Sequence, residues 1–449
     1  MLHITRIAAV LHGLRLSFVA GVNYGQRNEH FLQQEQTQVH VQHEFLAVGR
    51  ASPTGSTCPT GWPKVYVYDL PDQEVLPNGR EIVWREDAYC ERAHPSGSAE
   101  ERDCVFGPEF SVTIDSPPTN LTLRSTDQFR NGRIFQSRLT RTACRVANAT
   151  LADVFFVPIW RENINPDPAK CPTAEEVLTA LPYLSDATAS KHFLMSPRVG
   201  GLSDDVCDFW KSDEPLIQKI RKLALEDEFC CKREACMVDF SRPERAIPYP
   251  TLGGGLTSTQ LDHLFATVDA TQQTDRTDLV MAALGKRDCC NAASGVRDLW
   301  SAHCSDSDHC VLVDPTVKGM LPGLVKVMMR STFCLQPEGD TPSRKGLLDS
   351  LALGCIPVLS SEKQQKLWRW HLGDWKDFSV LAPGSTTGQS SCCGGGDSVV
   401  EFLHGVNATT IAKLQAGGRV ARTKIITHWT DTDSNDAITV TLKAIQDGK

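Results

Sequence analysis

The chain has 449 residues, enough at roughly 150 per domain to bury two sizeable cores, and its 41% apolar and 22% charged residues belong to a folded protein rather than a disordered or fibrous one. With 46 Lys and Arg against 54 Asp and Glu the net charge is -8, which excludes a surface built as a whole to hold nucleic acid. Seventeen cysteines are too sparse for a small disulfide scaffold and many for a cytosolic enzyme. Together with Asn-X-Thr acceptors at Asn120, Asn148 and Asn407 they point to the secretory pathway.

In chain order, Ile4 to Val22 is apolar but interrupted by Arg6, His12 and Arg15, a poor match to a leader or anchor, and no window reaches the length of a transmembrane helix. Residues 26–48 are rich in Gln, His and Glu, so 1–60 reads as a solvated stem or anchor region outside the fold. The run from Lys64 to Pro71 predicts a first strand, and residues 84–118, holding Cys90, Cys104 and several prolines, a crosslinked excursion. Ala152 to Trp160 is continuously apolar, as expected of a parallel strand covered on both faces. Helical spacing recurs at Phe129, Ile134, Phe135, Leu139 and Val146, and again from Leu216 to Ala224.

This alternation predicts an α/β protein with doubly wound layers. Residues 236–290 carry little signal beyond Ala246 to Pro250, a triple-glycine turn and a strand-like Leu279 to Leu284, and read as a crossing between two halves. Strand Ser331–Leu335, helix Pro342–Leu353 and strand Cys355–Ser360 then form one βαβ unit. A Gly/Ser-rich loop at 383–398 and a helical region over 407–427 close the chain.

The chemistry is expected where this unit's first strand opens into its helix. Thr341 before Pro342 has the form of an N-cap with proline at the first helical position, and Arg344 and Lys345 put two cations in a first turn that would ordinarily prefer acids. A helix N-terminus with added cations suits a diphosphate, and Asp349, mid-helix among apolar neighbours, suits ribose hydroxyls. The plain alternative is a surface helix with a solvated Arg-Lys pair.

The chain resembles the exostosin-like proteins of glycosyltransferase family 47, in particular their plant and algal branch. The resemblance rests on Val65 to Pro71, Ala152 to Pro158, Phe333 to Lys345, Asp349 to Val358 and Trp375 to Val380, which occur in the family's order within about 62–430. It implies a GT-B architecture, two Rossmann-like domains facing a cleft, with an acceptor half at 62–250 and a donor half at 275–430. It further implies inverting transfer from a nucleotide sugar, first of all a UDP-sugar, to a glycan or glycoprotein acceptor in the Golgi, without a required metal and with hetero-oligomers among the partners. The donor residues it indicates are Glu338, Gly339, Asp340, Thr341, Ser343, Arg344, Lys345 and Asp349. In animal exostosins the arginine falls where this chain has Gly346. The family's Asp-His-Phe element stands here as Lys191-His192-Phe193, which keeps open a catalytically inactive glycan-binding or partner subunit with the same fold.

His192 is accordingly either a catalytic residue or a packed strand histidine, and Glu162, beyond the 154–160 strand, is a candidate general base. Trp368, Trp370 and Trp375 could line a sugar site, with core packing expected for at least two. Cys289, Cys290, His303, Cys304, His309 and Cys310 lack zinc spacing and are read as disulfide cysteines, as are Cys230, Cys231, Cys236, Cys392 and Cys393. The sequons carry the first expected outcome: the secreted chain migrates as several glycoforms that collapse on glycosidase treatment. Unmodified Asn120, Asn148 and Asn407 together with wholly reduced thiols on electrophoresis would overturn the secretory assignment.

Overall fold

A parallel sheet must be covered on both faces, because each crossover lays a helix or loop against it. The computed structural model describes residues 57–448 apart from 88–89, 91–99, 116–117, 162–166, 197–206, 227–243, 274–275, 286–291, 340, 384–397 and 431–434. Two such sheets hold its core. In the first, Val65–Val67 (β1), Val154–Phe156 (β2), His192–Met195 (β3), Arg221–Ala224 (β4) and Glu244–Ala246 (β5) lie parallel in chain order. Their period-two alternation splits the apolar side chains between two layers. Val65, Val154, Phe156 and Phe193 pack on Ile134, Phe135 and Leu139 of helix Asn131–Arg141, whereas Phe155 and Leu194 face Val177 and Ile217.

The second sheet comprises Asp278–Ala283 (β6), Cys310–Val313 (β7), Ser331–Gln336 (β8), Ile356–Leu359 (β9) and Val380–Leu381 (β10), all parallel, in the order β7-β6-β8-β9-β10. The winding direction therefore reverses between β6 and β8. Crossovers diverge at such a switch point and leave a crevice beyond the carboxyl ends of the strands.

Several sequence expectations change in the structure. The apolar run from Ala152 does not stay in one strand: Pro158 has no N–H for the ladder, and Trp160–Arg161 pair instead with Arg85–Glu86. The stretch from Leu216 to Ala224, expected as helix, divides into helix Pro215–Lys219 and β4 between β3 and β5. The buried Arg221 and Lys222 mimic a polar helix face, but they bond to the Ser190 and Ile217 carbonyls at 2.9 and 3.4 Å. Within 236–290 lies helix Ser258–Gln273, opened by a reciprocal Thr257–Gln260 capping box; its buried stripe is broken by Thr267 and Thr271, which weakens its period in sequence.

The closing helix is Ala408–Arg422, and a further helix, Ala437–Gln446, lies beyond the region where the sequence predicts one. Asp436 accepts the Thr439 N–H at 2.8 Å and caps its start. Ile438, Leu442 and Ile445 then return the chain to the first sheet, on the face of Val65 and Phe156.

All ten cysteines among the described residues are paired: Cys58–Cys144, Cys90–Cys104, Cys171–Cys207, Cys304–Cys310 and Cys334–Cys355. Cys304 and Cys310 are thus disulfide cysteines, while Cys230, Cys231, Cys236, Cys289, Cys290, Cys392 and Cys393 lie outside the described residues. No helix among the described residues is long and apolar enough to cross a membrane. Ile438, 1% exposed, anchors the returning helix, so Ile438→Ala is expected to lower the unfolding free energy by about 2–5 kcal/mol in urea titrations. Val420→Ala, at a position 62% exposed, should stay within about 0.5 kcal/mol of the parent.

Candidate active site

The loop 337–344 leaves the carboxyl end of β8, beside the switch point between β6 and β8. Elements around the strand end fix its backbone. Arg297, buried on helix Ala292–Ser305, donates from Nε to the Glu338 carbonyl at 3.0 Å, and the Glu338 N–H donates to Ser360 Oγ at 3.0 Å. The Glu338 carboxylate accepts from the Ser361 hydroxyl. The Gly339 N–H turns back to the Thr341 carbonyl at 2.8 Å, and Arg344 Nη1 donates to the Pro337 carbonyl at 3.2 Å.

The helix begins later than its sequence signature predicts. It spans Lys345–Ala352, with Arg344 as an extended N-cap at φ −151°, so Thr341 is no cap and Arg344 precedes the first turn. Beside the loop lies Glu226, two residues beyond β4 of the first sheet. Its carboxylate accepts the Ser343 N–H at 2.7 Å. Glu226 is 2% exposed, and burial pushes its carboxyl above the usual range against the opposing pull of Ser343 and Thr341. Tyr249 OH lies 2.8 Å from Ser343 Oγ on the other side.

Lys345 and Asp349 form an i,i+4 pair, Nζ to Oδ2 at 2.6 Å, and Asp349 Oδ1 accepts the Leu252 N–H at 3.0 Å. Both oxygens of the buried Asp349 are thus engaged within the chain, toward the segment that follows β5. A Cβ at Gly346 would stand 2.7 Å from Gln336 Oε1, so a larger residue there needs that side chain to shift. Gln336 Nε2 in turn donates to Ser350 Oγ at 2.8 Å. Asp340 and Glu162 lie outside the described residues.

Of the two readings of His192, the structure places it as a packed strand histidine. It is fully buried in β3, stacked on Phe155 at 4.4 Å, with Nδ1 2.9 Å from the Thr188 carbonyl and Nε2 2.8 Å from Tyr68 OH. Desolvation lowers its pKa to about 4, so it is a neutral core histidine with neither nitrogen left for a substrate. Trp368 and Trp375 are also core residues, and Trp370 packs partly buried against the first sheet's cluster. Trp368 is the one non-glycine residue at positive φ among those described, at 51°, a conformation that costs about 1–2 kcal/mol. It is held there by an Nε1–H bond to the Leu225 carbonyl at 3.0 Å and a T-shaped contact with Tyr249.

The residue the sequence reading missed is Glu226. A signal existed, an acidic residue shortly after an apolar strand, but the strand itself read as helix. Asn120, Asn148 and Asn407 are all exposed, each accepting a local hydrogen bond through Oδ1.

A phosphate-compatible loop and helix start at the switch point of a parallel sheet define a nucleotide-dependent α/β enzyme. The family model described as the exostosin GT47 domain matches residues 61–386, and the chain belongs to that family; it is a glycosyltransferase. Among similar proteins of Arabidopsis thaliana, "Probable xyloglucan galactosyltransferase GT15" is 26% identical over 373 residues, 76% of this chain and 72% of that one. Xyloglucan galactosyltransferase XLT2 is 23% identical, covering 80% and 68%, and Xyloglucan-specific galacturonosyltransferase 1 is 24% identical, covering 76% and 50%.

His192 shares its lowered pKa with His371, buried against the Ala437 carbonyl and also near 4 through desolvation. Both are neutral when folded but titrate near 6.5 when unfolded, so the unfolded state binds more protons between these values. Stability is therefore expected to be intact above pH 6.5 and to fall as the pH drops toward 4, at up to about 1.4 kcal/mol per unit for each histidine. Urea midpoints across this range check it, and His192→Gln should flatten the slope.

Proposed function

We propose that the chain is an inverting transferase that moves a sugar from a UDP-sugar to a hydroxyl of a polysaccharide acceptor in the Golgi, with xyloglucan-type glucans first among candidates because the relatives are named for them. The observation carrying this reading is the loop 337–344 at the β6/β8 switch point, ending in Arg344 and the helix N-terminus at Lys345. In the GT-B reading, residues 62–250 together with the returning helix form the acceptor half and 275–430 the donor half.

The donor diphosphate sits at the helix start, where backbone N–H groups and the dipole favour an anion, and Arg344 supplies a planar guanidinium. Lys345 adds charge from its tether on Asp349. Ribose recognition falls to Glu338 or Asp349; Glu338, half-buried and partnered by a hydroxyl rather than a cation, is the better placed. In the transfer the acceptor oxygen bonds to the anomeric carbon, the bond from that carbon to the diphosphate oxygen breaks with its electron pair, and UDP departs. The acceptor's proton goes to a carboxylate of the first half, for which Glu162, following Trp160–Arg161, is the candidate.

A screen of UDP-sugars for hydrolysis and for transfer to xyloglucan oligosaccharides tests the reading, and one donor is expected to turn over. Absence of binding to any nucleoside diphosphate at millimolar concentration overturns it. Glycan binding without turnover selects the inactive alternative, and turnover only on co-expression with a second exostosin-family chain selects a partner subunit. Arg344→Ala removes charge-assisted bonds of about 1.5–3 kcal/mol and should weaken UDP binding by about 10- to 100-fold. The fold should persist, because the Arg344 side chain is half-buried and its hydrogen bond to Pro337 has a neutral carbonyl as acceptor. Calorimetric titration with UDP measures the loss of affinity.

A further inference from the structure

We infer that Glu226 is a positioning residue for the donor loop: a carboxylate of the first sheet that fixes the Thr341–Ser343 turn of the second, and so sets donor affinity. The inference rests on the donor reading above and adds a residue that neither the family resemblance nor the sequence motifs indicated.

Three observations carry it. Glu226 lies two residues beyond the end of β4 in the first sheet, yet its carboxylate accepts the Ser343 N–H of the loop after β8 at 2.7 Å. Its neighbour Leu225 is held to the same region by the Trp368 indole, whose left-handed backbone persists in a fully buried setting. Tyr249, beyond β5, closes on Ser343 Oγ from the other side, so two strand ends of the first sheet grip one residue of the loop.

A buried carboxylate that accepts a backbone N–H is an anchor for that backbone: loss of its charge weakens the bond. Arg344, next after Ser343, takes its direction from that anchor, and a misplaced cation costs affinity for the diphosphate.

The test compares the full-length parent with Glu226→Gln, Ser343→Ala and the double variant, reading the UDP dissociation constant by calorimetry and kcat and KM with the donor that turns over. Glu226→Gln keeps the shape and replaces charge-assisted bonds by neutral ones, so UDP affinity should fall about 10-fold with donor KM rising in step and kcat at saturating donor kept within about threefold. Ser343→Ala keeps the backbone N–H that Glu226 holds, so Glu226→Gln should lower UDP affinity in that background as well. Unchanged affinity on Glu226→Gln in either background, or a collapse of kcat at unchanged affinity, overturns the inference, the last by making Glu226 the proton acceptor instead. Should Glu226→Gln not fold, Glu226→Asp, which keeps the charge but retracts it by one methylene, takes its place under the same criteria. A parent that binds no UDP overturns the donor reading itself, whereas a parent that binds UDP as its variants do overturns only the role of Glu226.

Discussion

Taking a carboxylate out of water costs several kcal/mol unless hydrogen-bond donors or a cation meet it, and the site is organised around two such groups. Glu226 meets the Ser343 N–H; Asp349 meets a lysine ammonium and an N–H. In both cases a partner lies across from the carboxylate's own sheet. Glu226 reaches from the first sheet to the loop of the second, and Asp349 from the second sheet's helix to Leu252 beyond β5. Separating the partners would strand buried charge, so electrostatic satisfaction ties the loop to the first sheet more specifically than apolar packing could.

That tie explains the local departures around the loop. A Thr-Pro pair normally opens a helix, but here the Thr341 carbonyl accepts the Gly339 N–H and the helix starts at Lys345. Arg344 thereby becomes an extended N-cap rather than a first-turn residue, and its guanidinium can fold back on the Pro337 carbonyl. Trp368 shows the same principle at the backbone: a conformation that would not persist in a free peptide is held by indole burial and one hydrogen bond.

Away from the site, apolar layering and covalent links do the holding. The helix from Ala437 lays Ile438, Leu442 and Ile445 across the first sheet after the chain has completed the second, so the two ends of the fold share one core layer. Cys334–Cys355 joins the strand that bears the loop to the residue before β9, fixing the base of the βαβ unit whose tip carries the chemistry. His192, expected at the chemistry, belongs to this packing instead, with an aromatic stack on one face and both nitrogens engaged within the chain.

The sequence by itself determined what depends on neighbours along the chain. β2, β6, β8 and β9 are legible because continuous apolar runs reflect burial on both faces; helix Asn131–Arg141 is legible from its period; and the long motif from Phe333 to Lys345 identifies the family. The tertiary structure decided what depends on residues brought from afar. β4 reads as helix because its Arg221 and Lys222 find backbone partners only inside the sheet, and the helix from Ala437 takes its place from packing on β1 and β2. The role of Glu226 was invisible because 117 positions separate it from Ser343 and only folding brings the two within hydrogen-bond distance. Local preference fixes which segments form elements, whereas the balance between desolvation and long-range partners fixes where a helix begins and which carboxylate holds the loop.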